Sequence, residues 1–269
     1  MPHVVTRAGA VHVSDRGDGP PIVLLHATLH DHHDFDPILE QLAAHFRVLA
    51  VDWPGHGESD PLPADMPASA MLFAGVLEDV LNQLHVSRAV FIGNSVGGFA
   101  AARLAATQPE RVSHLVLVNG GGFTRHNAVT RTFCRMMGTP AVTRMVWQLL
   151  IPRYMRARTA HDHTIIGKAR TRARTREGVH TTAALWRSFA APEYNLRPLA
   201  AGIVAPALLI WGARDIILPL REGRAAWAAI PGSRLVPLPT GHVPFSSDPD
   251  EFLAHTLEFI RRPSDTVGR

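Results

Sequence analysis

The stretch Gly93-Asn94-Ser95-Val96-Gly97-Gly98 constrains this chain more than any other. It follows a short apolar run, Ala89-Val90-Phe91-Ile92, that reads as a buried strand. It leads into Phe99-Ala100-Ala101-Ala102-Arg103-Leu104-Ala105, which reads as a helix. A strand that turns straight into a helix through Gly-x-Ser-x-Gly needs flanking positions nearly free of side chains, because strand and helix pass too close there for a Cβ. The serine of such a turn sits in a strained backbone that pushes its hydroxyl out above the sheet edge. A serine that merely caps the helix is the plainer reading, but it leaves the paired glycines unexplained.

A serine hydroxyl is a weak nucleophile at neutral pH and needs a base, which in turn needs an orienting acid. Downstream, Ala207-Leu208-Leu209-Ile210-Trp211 reads as a buried strand followed by Gly212-Ala213-Arg214-Asp215. Arg234-Leu235-Val236-Pro237-Leu238 reads as another, with Gly241-His242 just beyond it and a helix signal at Asp248-Pro249-Asp250-Glu251-Phe252. The candidates therefore run Ser95, Asp215, His242, each on a loop after a strand. His242 is one of 16 histidines, so its position and not its identity selects it.

Taken with Leu24-Leu25-His26 and Asp52-Trp53-Pro54-Gly55-His56-Gly57-Glu58-Ser59, these motifs resemble the α/β-hydrolase superfamily over nearly the whole chain. The resemblance implies an α/β-hydrolase fold, a mostly parallel sheet flanked by helices, with a helical cap inserted after strand six. The runs near Ile22, Val48, Val90 and Leu115 are short, apolar and β-branched, as strands buried on both faces should be. Helical signals alone occupy residues 121–197. The expected division is thus a core in two parts, 1–120 and 198–269, around a cap at 121–197. Within the cap, Val142, Met145, Val146, Leu149 and Leu150 recur at helical spacing, a stripe that would line a pocket or pack the cap on the core.

The resemblance also assigns roles. Ser95 would attack, His242 would act as base, and Asp215 would orient it. The backbone N–H groups of Val96 and Thr28 would receive the oxyanion. The family's oxyanion turn carries glycine where this chain has Ala27, which restricts the turn. His26 and His56 are expected to shape their loops by hydrogen bonding. The activity implied is hydrolysis of an ester or related acyl bond, by a carboxylesterase-like enzyme using a small-molecule substrate and no cofactor. An aspartate nucleophile, as in dehalogenases and epoxide hydrolases, is not present at position 95. Two alternatives stay open. Asn94 before the serine resembles the Gly-Asn-Ser form of hydrolases that cleave carbon–carbon bonds in ring-cleavage dienoates, although Val243 and the turn Ala27-Thr28-Leu29-His30 depart from that family. A ligand receptor with a retained triad and slow turnover is the other.

His30-x-His32-x-Asp34 copies part of a metal-ligand spacing, but Phe35 replaces the closing histidine. A loop with Asp34 or Asp36 capping the next helix is expected instead, and no metal. Residues 121–190 hold 13 Arg or Lys against two acids, Asp162 and Glu177, with Arg170, Arg172, Arg174 and Arg176 alternating. This run is either a solvated face or a basic rim that favours anionic substrates. The absence of aromatic interleaving or a recognition motif argues against nucleic acid. With 269 residues, 46% hydrophobic, the chain suffices for one large domain. The lone Cys134, the lack of a signal-peptide pattern in Met1–Arg7 and the lack of a spanning apolar run point to a cytoplasmic protein. The segment from Arg262 onward reads as a frayed tail.

Overall fold

A computed structural model describes residues 3–261, and the tail from Arg262 lies outside the described residues. Eight strands form one sheet: β1 (His3–Thr6), β2 (Gly9–Arg16), β3 (Pro21–Leu25), β4 (Arg47–Val51), β5 (Ala89–Asn94), β6 (Val112–Val118), β7 (Ala207–Gly212) and β8 (Arg234–Leu238). Their spatial order is β1-β2-β4-β3-β5-β6-β7-β8. β2 pairs antiparallel with β1 and β4, whereas β4, β3, β5, β6, β7 and β8 run parallel. Parallel neighbours need crossover connections, and helices supply them: α1 (Asp36–Ala43), α2 (Ala70–Gln83) and α3 (Val96–Thr107) in the first part.

Alternation along the buried strands splits the core in two. Val23, Leu25, Phe91, Leu117 and Leu209 face one side, with α2 and α3; Ile22, Leu24, Ile92, Val116 and Ile210 face the other, with α1 and the C-terminal helix. All six residues of β5 and all six of β7 are buried. Because successive side chains point to opposite faces, a strand apolar throughout can only lie between two packed layers. Each such Val, Leu or Ile contributes about 1.5–3 kcal/mol by leaving water.

Between β6 and β7 the chain forms α4 (Ala128–Met137), α5 (Pro140–Met155), α6 (Ala160–Arg172) and α7 (Arg176–Ser188). The last part adds α8 (Leu220–Ala229), α9 (Pro244–Ser247) and α10 (Pro249–Arg261). Starts are set by side chains that accept from free N–H groups: Ser69 caps α2, Asn127 caps α4, and Thr159 with Asp162 forms a reciprocal box at α6. Asp162 is buried and also accepts from the hydroxyls of Ser246 (2.6 Å) and Ser247 (3.1 Å), fastening α6 to α9.

One local expectation holds only in part and another fails. The stripe on α5 is offset: Thr143, Trp147, Ile151, Tyr154 and Met155 are its buried residues, while Met145 and Leu149 are 66% and 60% exposed. Val142, Val146 and Leu150 pack at the margin of the core. At α1, neither Asp34 nor Asp36 caps. Asp31 caps the preceding 3-10 turn, His32–Phe35, by accepting from the His33 N–H. Among the described residues no helix is long and apolar enough to cross a membrane.

Candidate active site

Ser95 stands between β5 and α3 with φ 55° and ψ −113°, a backbone conformation disfavoured for any residue with a Cβ. The main chain holds it there. Its N–H donates to Val118 O (3.1 Å), and its carbonyl accepts from Phe99 (3.0 Å) and Gly121 (2.8 Å). The glycines are required by close approach: a Cβ on Gly97 would lie 2.3 Å from Leu25 O, and one on Gly93 2.5 Å from Gly97 O.

Asp215 follows β7 and is 4% exposed. One carboxylate oxygen accepts from the Ile217 N–H (2.7 Å); the other accepts from the Asn119 side-chain amide (2.5 Å) and from His242 Nδ1 (2.5 Å). Asn119, itself at φ 45° after β6, accepts the Gly212 N–H through its Oδ1 at 3.0 Å, which fixes the orientation of its amide. His242 follows β8. Its N–H donates to Tyr154 O (2.9 Å), its carbonyl accepts from Asn94 Nδ2 (3.0 Å), and its ring meets the Tyr154 ring edge to face at 5.4 Å. Nδ1 is committed to Asp215, so Nε2 is the nitrogen left to exchange protons.

Ser95 and His242 line one cavity of about 720 Å³, together with Ala27, Thr28 and Val96. The N–H groups of Thr28 and Val96 have no hydrogen-bond partner among the described residues. Ala27 does not distort the turn: the left-handed residue is Leu29 (φ 71°), two positions on, so the restriction expected at Ala27 does not arise. His26 donates through Nδ1 to Ala27 O (2.7 Å) and accepts the Trp53 N–H at Nε2 (3.1 Å). Burial holds this ring below the ordinary histidine pKa, and it is neutral and structural. His56 likewise stays within its loop, bonding Pro54 O at 3.1 Å.

The spacing His30-x-His32-x-Asp34 does not converge on a metal. His30 Nδ1 bonds Asp34 and its Nε2 bonds the Tyr154 hydroxyl at 2.8 Å, whereas His32 turns away to Asp52. His30 and Tyr154 both face the cavity, a pairing with no sequence signal because 124 positions separate them. Burial, then Asp34 and Asp215, push the Tyr154 hydroxyl well above the usual tyrosine range, so it remains protonated and a donor.

The remaining walls are largely aromatic and aliphatic, with Phe133, Trp147, Leu185, Trp186 and Phe189 among them. The arginine run does not reach this cavity. Arg172 donates to the carbonyls of Leu29 (3.3 Å) and His30 (2.5 Å), and Arg174 bonds Gln148 (3.2 Å). The cations on the lining are Arg125, Arg197 and Arg221. Arg221 pairs with Glu222, whereas Arg125 and Arg197 have no ion-pair partner among the described residues.

Residues 20–249 match the family described as alpha/beta hydrolase fold. The chain is 30% identical over 259 residues to a pimeloyl-acyl-carrier-protein methyl ester esterase of Chromobacterium violaceum, covering 92% of this chain and 97% of that one. It is 27% identical over 273 residues to a 2-hydroxy-6-oxononadienedioate/2-hydroxy-6-oxononatrienedioate hydrolase of Klebsiella pneumoniae, covering 94% and 91%. Among solved structures, an enol-lactonase from Burkholderia xenovorans LB400 superposes with a TM-score of 0.78 at 25% identity, covering 97% of this chain and all of that one.

Proposed function

The chain belongs to the alpha/beta hydrolase fold family, and we propose that within it this protein is a serine hydrolase cleaving an ester or related acyl bond through an acyl-enzyme. One observation carries the reading: a strained, pocket-facing Ser95 shares its cavity with His242, whose Nδ1 is bound to the buried carboxylate of Asp215. In this mechanism Ser95 Oγ attacks the acyl carbonyl while His242 Nε2 takes its proton. Asp215, steadied by Asn119 and Ile217, holds the imidazole tautomer and stabilises the imidazolium. The carbonyl oxygen becomes an alkoxide and is received by the N–H groups of Val96 and Thr28. His242 then protonates the leaving alkoxide, and a water deprotonated by His242 releases the acid and restores Ser95.

Helices α4–α7 act as the cap over this pocket. Its volume suits a small molecule, its walls an apolar body, and the unpaired Arg125 and Arg197 on its lining a carboxylate. The substrate class is therefore an ester or lactone with an apolar acyl portion and an anionic end. A second reading, hydrolysis of a carbon–carbon bond in a dienoate, draws on the likeness to the Klebsiella hydrolase and on Asn94 before the serine. A panel of carboxylate-bearing aryl esters and one dienoate, followed by product formation, separates the two. Phosphonate labelling of wild type and Ser95→Ala tests the shared premise: equal labelling of both would end it. Acylation without release would identify a slow-turnover receptor.

A further inference from the structure

A second group of histidines gathers on the other side of the Asp52 loop. His12 lies on β2, its side chain opposite in sense to Val11 and Val13, which enter the core. It is 0% exposed, and neither ring nitrogen has a hydrogen-bond partner among the described residues. A buried imidazole with both nitrogens idle is costly unless something else is to be bound. Facing it are His32, with ring centroids 4.8 Å apart, and Glu58, whose carboxylate is 3.7 Å from His12 Nδ1. One ligand atom from each of His12, His32 and Glu58 falls within 4.8 Å of the other two.

From this geometry we infer a binding site for a zinc-class divalent ion, held by His12, His32 and Glu58, that staples β2 to the 3-10 turn and to the loop after β4. The ligand chemistry fits: two imidazoles and a carboxylate are borderline donors that suit zinc and its first-row neighbours, with water completing four-coordination. The orientation of the ligands is already supplied. Asp52 accepts from His32 Nδ1 at 2.8 Å and from the His32 backbone at 2.7 Å, which leaves the Nε2 lone pair free to coordinate. The same carboxylate accepts the Glu58 N–H at 2.9 Å, so one buried group positions two ligands. The His12 backbone is fixed on both sides, donating to Ser59 Oγ (2.8 Å) and accepting the Asp52 N–H (3.0 Å). Donor atoms around tetrahedral zinc lie about 3.4 Å apart, given metal–ligand bonds of about 2.0–2.1 Å, so the widest separation, at most 4.8 Å, must close by up to about 1.4 Å. The Glu58 side chain, 57% exposed, has the freedom to do so and leaves a way in from solvent. None of the three ligands lines the cavity of Ser95, so the ion braces the fold and takes no part in turnover.

The test uses the untagged chain stripped with a chelator and titrated with zinc by calorimetry, and with cobalt followed by visible absorption. One equivalent should bind, with tetrahedral-type cobalt bands and a rise in Tm of roughly 5 °C at saturating zinc. Glu58→Gln, at an exposed position where folding is safe, should weaken binding at least tenfold, and His12→Asn should abolish the cobalt bands. His255→Gln, which removes the partly exposed Glu251–His255 pair, should leave both unchanged. Wild-type affinity in Glu58→Gln, or no stoichiometric binding in the wild type, overturns the site and reduces any uptake to scattered surface histidines. These readouts are binding and melting, so they stand or fall apart from the hydrolase assignment.

Discussion

Replacing Ser95 by glycine removes the hydroxyl and the Cβ; replacing it by alanine removes the hydroxyl alone. Comparing the two isolates the backbone strain of the turn, because both variants lack the nucleophile and both keep the main-chain bonds to Val118, Phe99 and Gly121. A residue with a Cβ held at φ 55°, ψ −113° stores strain on the order of 1–3 kcal/mol. Glycine relieves it but gives back roughly 0.5–1 kcal/mol through its greater freedom in the unfolded chain. Ser95→Gly should therefore be more stable than Ser95→Ala by about 1 kcal/mol, a Tm difference of about 2–4 °C for a chain of this size. Urea titrations with equal m-values and thermal melts in one buffer measure it. A glycine variant that melts at or below the alanine variant would refute the claim that strain is held at this turn.

Three further outcomes are expected. Asp215→Asn should lower turnover about 10⁴-fold by imposing the wrong histidine tautomer, and Asn119→Leu about 10–100-fold by stripping a donor from a buried charged acceptor; kcat on an activated ester reads both, and near-wild-type values would redirect the search for the acid. Removing charge at Arg125 and Arg197 should reduce kcat/KM for a carboxylate-bearing ester but not for its neutral isostere, with an effect that fades as salt rises, while Arg174→Gln should change neither. Burial pushes the Cys134 thiol up to about 11, so alkylation at pH 8 should be far slower than for a free thiol and should accelerate steeply toward that pH, as mass spectrometry can follow.

The turn at Ser95 was legible because its requirement is local: two chain segments in van der Waals contact leave room only for glycine, and the requirement is written in adjacent residues. The chain order of Asp215 and His242 was legible for a related reason, since each follows a strand whose apolar run stands out. What could not be read depends on which distant segments meet. Asn119 gains its role only through a bond to Asp215 that spans 96 positions. The His30–Tyr154 pair follows from the docking of α5, whose periodicity fits two overlapping faces. Packing chose the face with Trp147 and Tyr154 over the one with Met145 and Leu149. The arginine run stayed open between a solvated face and a basic rim for the same reason: density of charge along the chain says nothing of which face a helix turns to the pocket. His12, an unremarkable residue in sequence, gained its interest only when β2 set it against a turn and a loop.

The tether between the Tyr154 carbonyl and the His242 N–H, and the second between Asp162 and the serines of α9, divide the helical insertion into unequal halves. Helices α5 and α6 are bolted to the loop that carries the histidine, and Gly241 packs so closely beneath them that an added Cβ would lie 2.1 Å from Tyr154 O. Helix α4 contributes Val129, Phe133 and Cys134 to the cavity wall, and among the described residues it makes no such bond to that loop. Specificity can therefore drift, or be engineered, by rewriting α4 alone. A graft that exchanges the whole insertion between relatives would carry away part of the histidine's own mounting, and chimeras of this fold should be cut between Met137 and Pro140.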